Sequence, residues 1–437
     1  MSKTSSADPV TPPRLAAPMR LSGLDGLRGV AALIVVIHHS LLLFPTMSAV
    51  YLTGTAPVAG SLMWWMSYSP LKVLSAGGEA VIVFFVLSGL VLTLLVTKRA
   101  GFDWVAYFPR RAVRIWLPVA ASVIFAFLLV TLVRQQPFQP GTTWLNRSSI
   151  VEPTWATLVN ASTLFGGNFQ LNNPLWSLQW EMIFSVCLPL FVLCALAFRR
   201  WWIAGVAVAI LLAWVGVLGA IPALHYLPVF LAGGFLAVGL PGIQRVAARL
   251  NGSGVGRWLW PSVLVVAVAA LLGPWLIGPS LRSIDWALNL ATLVVPLAAV
   301  AIVVCAIGWP LLARVLSAGV FKFLGTISFS LYLVHVPILV FASYALKGLP
   351  QPAVVVIAVP CSIVVAALFY RFVERSSHVW SRRIGDWASA VFARSTSPAA
   401  AEPTAAETVI ASAQPADPSA HPRGRAGAGA SHASPVA

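Results

Sequence analysis

AGGEAVIVFFVLSGLVLTLLVT, residues 76–97, holds one charged side chain, Glu79, in twenty-two residues. Coiled as an α-helix at 1.5 Å per residue, the stretch is about 33 Å long. That crosses the ~30 Å hydrocarbon core of a bilayer. Working outward from it, nine further stretches qualify as spans. The ten are 24–45, 76–97, 113–133, 175–197, 201–219, 224–240, 258–277, 285–307, 322–346 and 352–373. The sixth is the shortest and is interrupted by Pro228 and Gly233-Gly234. The fold class is therefore an all-α membrane protein with about ten transmembrane helices.

Composition agrees. Hydrophobic residues make up 59% of the chain and charged residues 9%, against about 25% charged in soluble domains. The 18 Trp suit the membrane–water interface, where indoles concentrate. The net charge of +16 does not point to nucleic acid, because the basic residues are scattered between apolar blocks. Cys187, Cys194, Cys305 and Cys361 all lie within apolar blocks and form no CxxC, so they read as small apolar residues and no metal site is suggested.

Residues 1–20 are polar and lack a signal-peptide core, so they read as a disordered cytoplasmic N-terminus, with the first helix serving as the insertion signal. Residues 21–383 form the membrane domain. Residues 384–437 read as a mostly disordered cytoplasmic tail, rich in Ala, Pro and Ser. With the N-terminus inside, twenty Lys and Arg fall on the cytoplasmic side and five on the other, the distal tail aside. That bias sets both termini in the cytoplasm and requires an even helix count. No internal repeat of the kind common in transporters is visible. The location that follows is the plasma or inner membrane, crossed many times.

Ionisable groups are excluded from lipid-embedded helices unless paired or functional, so their positions locate a site. In LDGLRGVAALIVVIHH, residues 24–39, Arg28 and His39 are eleven residues apart. Three turns plus about 20° put them on one face, about 16 Å apart along the axis, with Asp25 within about 40° of that face. His38 points about 100° away. In GGEAVIVFFVLSG, residues 77–89, Glu79 opens the second helix and Ser88-Gly89 permits close packing. In FPRRAVRIWLP, residues 108–118, Arg110, Arg111 and Arg114 cluster before the third helix. They serve topology or bind phosphate, to which Arg is geometrically suited. In NPLWSLQWEMIF, residues 173–184, Ser177 and Glu181 are i, i+4 neighbours at a depth expected to match that of His39. In GTISFSLYLVHVPIL, residues 325–339, Ser328, Tyr332 and His335 share a face.

Taken together and in order, these segments resemble the acyltransferase-3 family of integral membrane acyltransferases. Arg28 and His39 stand at that family's Arg-x10-His spacing. VFFVLSG, RRAVRI followed by Pro118, WSLQWE, ISFSLYLVHVP and YRFVER at 370–375 are similar to its later signatures. The resemblance implies ten helices, an essential His39, a cytoplasmic acyl-CoA donor and no permanently bound cofactor. Acetyl-CoA is the default donor because acetyl transfer is common in the family. It also implies a hydroxyl acceptor on a glycan, a lipid-linked sugar or a small molecule. Some relatives carry a C-terminal hydrolase-like domain. Here only the tail follows, so the chain is expected to act alone or with a separate protein.

On that basis Arg111 and Arg114 hold the donor's phosphates, with Arg28 deeper along the path of the pantetheine arm. His39 is the general base, oriented by Glu181, or else a nucleophile that carries the acyl group. Asp25, Glu79, Ser177, Tyr332 and His335 line the site. A transporter or flippase using the buried charges as a proton relay is the rival class, distinguished by its independence of acyl-CoA. A structural protein without activity is a further rival, against which the intact Arg28–His39 pair argues.

Overall fold

A computed structural model describes residues 22–99, 101–139, 143–150, 152–165, 169–279 and 285–396. The disordered ends expected at 1–20 and beyond Thr396 lie outside the described residues, as does Arg282. Among the described residues the long elements are all helices and none is a strand. They are α1 (Ser22–Leu41), α2 (Gly77–Thr97), α3 (Trp104–Leu132), α4 (Leu175–Val186), α5 (Leu188–Ala197), α6 (Trp202–Leu218), α7 (Pro222–Gly252), α8 (Gly256–Leu271), α9 (Asp285–Gly308), α10 (Gly319–Ala345), α11 (Gln351–Phe369) and α12 (Arg375–Thr396). A π-helical turn, Tyr370–Glu374, joins α11 to α12. Residues through Ala388 form one unit; Ser389–Ala437 form a second, of which the described part is the end of α12.

Eight helices among the described residues are long and apolar enough to cross a membrane. The bent pair α4–α5 makes a ninth, and α8, at sixteen residues, is apolar but shorter. All ten expected spans are thus helical, with changed boundaries. α1 stops at Leu41, because Pro45 opens a separate short helix, Pro45–Leu52. α3 starts at Trp104, nine residues early, where the Asp103 carboxylate accepts from the Ala106 amide at 2.9 Å. This cap satisfies an amide that the first turn leaves open. The Arg110–Arg114 cluster therefore lies within α3. The sixth span, weakest in sequence, belongs to the 31-residue α7, since packing on α2 outweighs its Pro and Gly content. At the far end α12 carries helix to Thr396, into the segment expected to be tail.

Lipid gives helices little hydrophobic reason to associate, so close approach of small residues matters. α1 packs most extensively on α10, and α2 on α7. A Cβ on Gly29 would stand 2.5 Å from the Gly325 nitrogen, and one on Gly89 1.9 Å from the Phe230 carbonyl oxygen. The first of these crossings brings the face bearing Arg28 and His39 against α10. The starts of α1, α3 and α10 and the ends of α2 and α11 meet at one end of the bundle, as alternating helix directions require.

The chain before α4 dips into the bundle. Asn172 is fully buried, and its Nδ2 donates to the Leu333 carbonyl at 2.9 Å and Ser122 Oγ at 3.3 Å. Leu333 and Ser122 lie mid-way along α10 and α3. α4 consequently begins deep in the bundle, and a 64° bend at Cys187 separates it from α5.

Candidate active site

The end of the bundle where α1, α3 and α10 begin is hollow and cationic. A cavity of about 240 Å³ is lined by Asp25, Arg28, Arg111, Arg114, Glu181, Lys322, Ser328, Glu374 and His378. A second, of about 400 Å³, shares Arg28, Arg111, Arg114 and Glu181 and adds Lys98 and Arg99 from the end of α2. A third, of about 620 Å³, shares Arg111 and Arg114 and extends to Arg110 and Arg382. Their shared lining makes one vestibule in which eight Lys and Arg side chains outnumber five carboxylates. Among the described residues neither Arg28 nor Arg114 has a carboxylate within ion-pair distance. Their charges stand toward the cavity, an arrangement suited to a polyanion.

From the vestibule a neck of about 40 Å³ leads inward. Arg28, Ser88 and Glu181 stand at its mouth, Phe84, Phe85, Leu178 and Phe329 form apolar walls, and Ser177 and Tyr332 also line it. The hydroxyls of Ser177 and Tyr332 are hydrogen-bonded at 2.6 Å. One turn further along α10 lies His335, fully buried, and against it His39.

The two histidines fix each other. His335 Nδ1 lies 2.9 Å from the Leu331 carbonyl, and His39 Nδ1 lies 3.1 Å from the Val35 carbonyl. A carbonyl oxygen only accepts, so each neutral ring carries its proton on Nδ1. His335 Nε2 is then a lone pair, and it accepts from His39 Nδ1–H at 3.0 Å. The remaining nitrogen of His39, Nε2, holds the lone pair that a base or nucleophile needs. Trp144, from the long α3–α4 connection, lies 5.4 Å from His39 ring to ring, and the Asn173 side chain is a further hydrogen-bond partner. His38 points aside, as helical geometry requires. It donates to the Ser75 carbonyl at 2.9 Å and meets Tyr51 edge-on.

The expected Glu181–His39 pair is not formed. Glu181 accepts from Arg111 Nη2 at 2.5 Å and from Ser88 Oγ at 3.3 Å, at the vestibule, while His39 is held by His335. The error was one of depth: α4 starts inside the bundle, so Glu181 lies at the level of Arg28, about three turns from His39. Arg111 is likewise not a bare cation. Its Nε donates to Ser185 Oγ at 3.0 Å, and Glu181 takes its tip. Glu79 lies apart from the cavity, accepting from Trp275 Nε1 at 2.7 Å. Beside it Lys72, in the connection between α1 and α2, is fully buried with Nζ 4.0 Å from the Trp275 ring centroid. Asp25, Arg28, Arg114, Ser177 and Tyr332 line the connected cavities.

Four contributors escape a reading of the sequence. Glu374 is buried, accepts from Ser330 Oγ at 2.5 Å and lines the vestibule. Its signal was a carboxylate at the end of a span, within YRFVER. Trp144 had no signal, because only tertiary folding brings its connection over α1. His378 and Arg382 follow the last span and read as ordinary inner-side residues.

A family model described as an acyltransferase domain, acyltransferase-3, matches residues 21–371. No curated protein matches the chain, and no solved structure does.

Proposed function

The chain belongs to the acyltransferase-3 family and is an acyltransferase, and from that premise we propose that it transfers an acyl group from acyl-CoA to a hydroxyl acceptor across the bundle. The carrying observation is the sequence of spaces: a cationic vestibule, a narrow apolar neck, and a histidine pair beyond it. The donor's phosphates sit in the vestibule, against Arg28 and Arg114. Arg111 holds Glu181 and shapes the mouth of the neck. The pantetheine arm enters the neck past Tyr332, toward His39.

The acceptor hydroxyl attacks the thioester carbonyl and His39 Nε2 takes its proton. The C–S bond breaks, the ester forms, and the thiolate leaves with the proton returned by the imidazolium. His39 Nδ1–H, bonded to His335 Nε2 and the Val35 carbonyl, steadies the cation in between. Acetyl is the acyl group taken first, and the acceptor is a glycan, a lipid-linked sugar or a small molecule. The membrane is the cell's plasma or inner membrane, and the vestibule faces the cytoplasm.

The test uses purified protein in nanodiscs with radiolabelled acetyl-CoA and membrane-extracted glycans. Label should move to an acceptor with the wild type, and His39→Ala should lower the rate roughly 10²–10⁴-fold while still binding CoA. Undiminished transfer by His39→Ala would overturn the assignment. An acetylated His39 trapped without acceptor would replace the base with a nucleophile.

A further inference from the structure

The family match ends at residue 371, yet the widest part of the vestibule is walled by residues beyond it. His378, Ser381, Arg382 and Asp386 of α12 face Arg99 and Arg110 across the cavity of about 620 Å³. α12 is therefore a wall of the site, supplied by a segment that the family model does not include.

Two details show how α12 holds that wall. Arg110 lies against Gly385, where an added Cβ would stand 2.3 Å from the Arg110 Cγ and Nε. A larger residue there would force the arginine side chain to move. The Arg110 tip then forms an ion pair with Asp386, while its buried Nε has no hydrogen-bond partner. The Asp386 side chain is 69% exposed, so the pair is weak and easily exchanged. A carboxylate on an arginine at a cavity rim occupies the place of an incoming anion.

We propose that Arg382, with Arg99 and Arg110, forms a subsite for a phosphomonoester at the outer end of the donor, and that Asp386 occupies Arg110 until the phosphate arrives. Resting on the acyl-CoA reading above, this assigns the subsite to the 3′-phosphate of the coenzyme's ribose. The diphosphate lies deeper, toward Arg28 and Arg114. A dianion displaces a single exposed carboxylate because guanidinium groups bind phosphate through paired, charge-assisted hydrogen bonds. The pocket thereby distinguishes coenzyme A from its 3′-dephospho form, and α12 carries that distinction.

The experiment measures Kd for CoA and for 3′-dephospho-CoA with the full chain in nanodiscs. The wild type should prefer CoA by roughly ten- to a hundred-fold. Arg382→Ala should bring the ratio close to one, and Arg382→Lys should keep part of it. Asp386→Asn should bind CoA more tightly than the wild type does, a gain that misfolding cannot produce. Equal wild-type affinity for both ligands, an Arg382→Ala variant that keeps the full preference, or no gain in Asp386→Asn would overturn the subsite and leave the donor reading standing. A wild type that binds neither ligand would sink the donor reading, and the subsite with it.

Discussion

At the scale of single residues, adjacent histidines of equal intrinsic chemistry are separated by geometry alone. His39 faces α10 and meets His335; His38 faces the Ser75 carbonyl. The Arg28 spacing made that distinction legible in sequence. His335 as the partner was not legible, because a register between α1 and α10 cannot be read from either helix alone. Replacing His38 with Phe should cost about 1 kcal/mol of stability and leave transfer largely intact. The Ser75 carbonyl keeps a donor in Lys72 Nζ at 3.3 Å. Loss of transfer in a normally inserted His38→Phe protein would place chemistry on the wrong ring. In the proposed reaction, His335→Phe removes the acceptor that steadies the His39 imidazolium. One hydrogen bond to a charged group corresponds to roughly a ten- to hundred-fold loss in kcat, with CoA affinity unchanged. His335→Gln, whose amide oxygen can accept, should recover part of that loss. Equal damage from Phe and Gln would reduce His335 to a packing residue.

At the scale of elements, spans were legible and depth was not. Hydropathy registers that residues 175–197 belong in the membrane. It does not register that Asn172 draws the start of α4 inward by bonding to α3 and α10. Counting down from a presumed surface then misplaced Glu181 and left Arg111 without its partner. The resulting pair, with side chains 14% and 20% exposed, makes its own prediction. Glu181→Gln leaves Arg111 largely buried without a carboxylate, at a cost of about 2 kcal/mol, below the 3–5 typical of fully buried pairs. Arg111→Met in the same chain removes the stranded charge and should recover most of the loss. Thermal unfolding in detergent of the two single variants and the double variant reads the coupling directly. Additive losses would mean that the pair contributes nothing as a pair. On the donor side, Arg114→Ala should weaken CoA binding more than Arg111→Ala does, because among the described residues no carboxylate lies within ion-pair distance of Arg114, whereas Glu181 takes the tip of Arg111.

At the scale of the whole molecule, the charge bias and the cavity fall at the same end of the bundle. The sequence bias puts twenty of the basic residues outside the distal tail on one side of the membrane and five on the other. The fold gathers Arg28, Lys98, Arg99, Arg111, Arg114 and Lys322 around connected cavities at one end. Those residues come from the starts of α1, α3 and α10 and the end of α2, which alternating spans place on a common side. A donor made and kept in the cytoplasm reaches the vestibule only if that end faces inward, and the positive-inside rule favours the same orientation. On the proposed reading, both ends of the helical domain lie in the cytoplasm. The check is cysteine labelling in a chain whose Cys187, Cys194, Cys305 and Cys361 are replaced by Ala. Ser395→Cys, at the end of α12, should react with a membrane-impermeant maleimide only after the cells are opened. Gly348→Cys, in the α10–α11 connection, should react on intact cells. The opposite pattern would turn the vestibule outward, away from any pool of acyl-CoA, and the proposed direction of transfer would have to be abandoned.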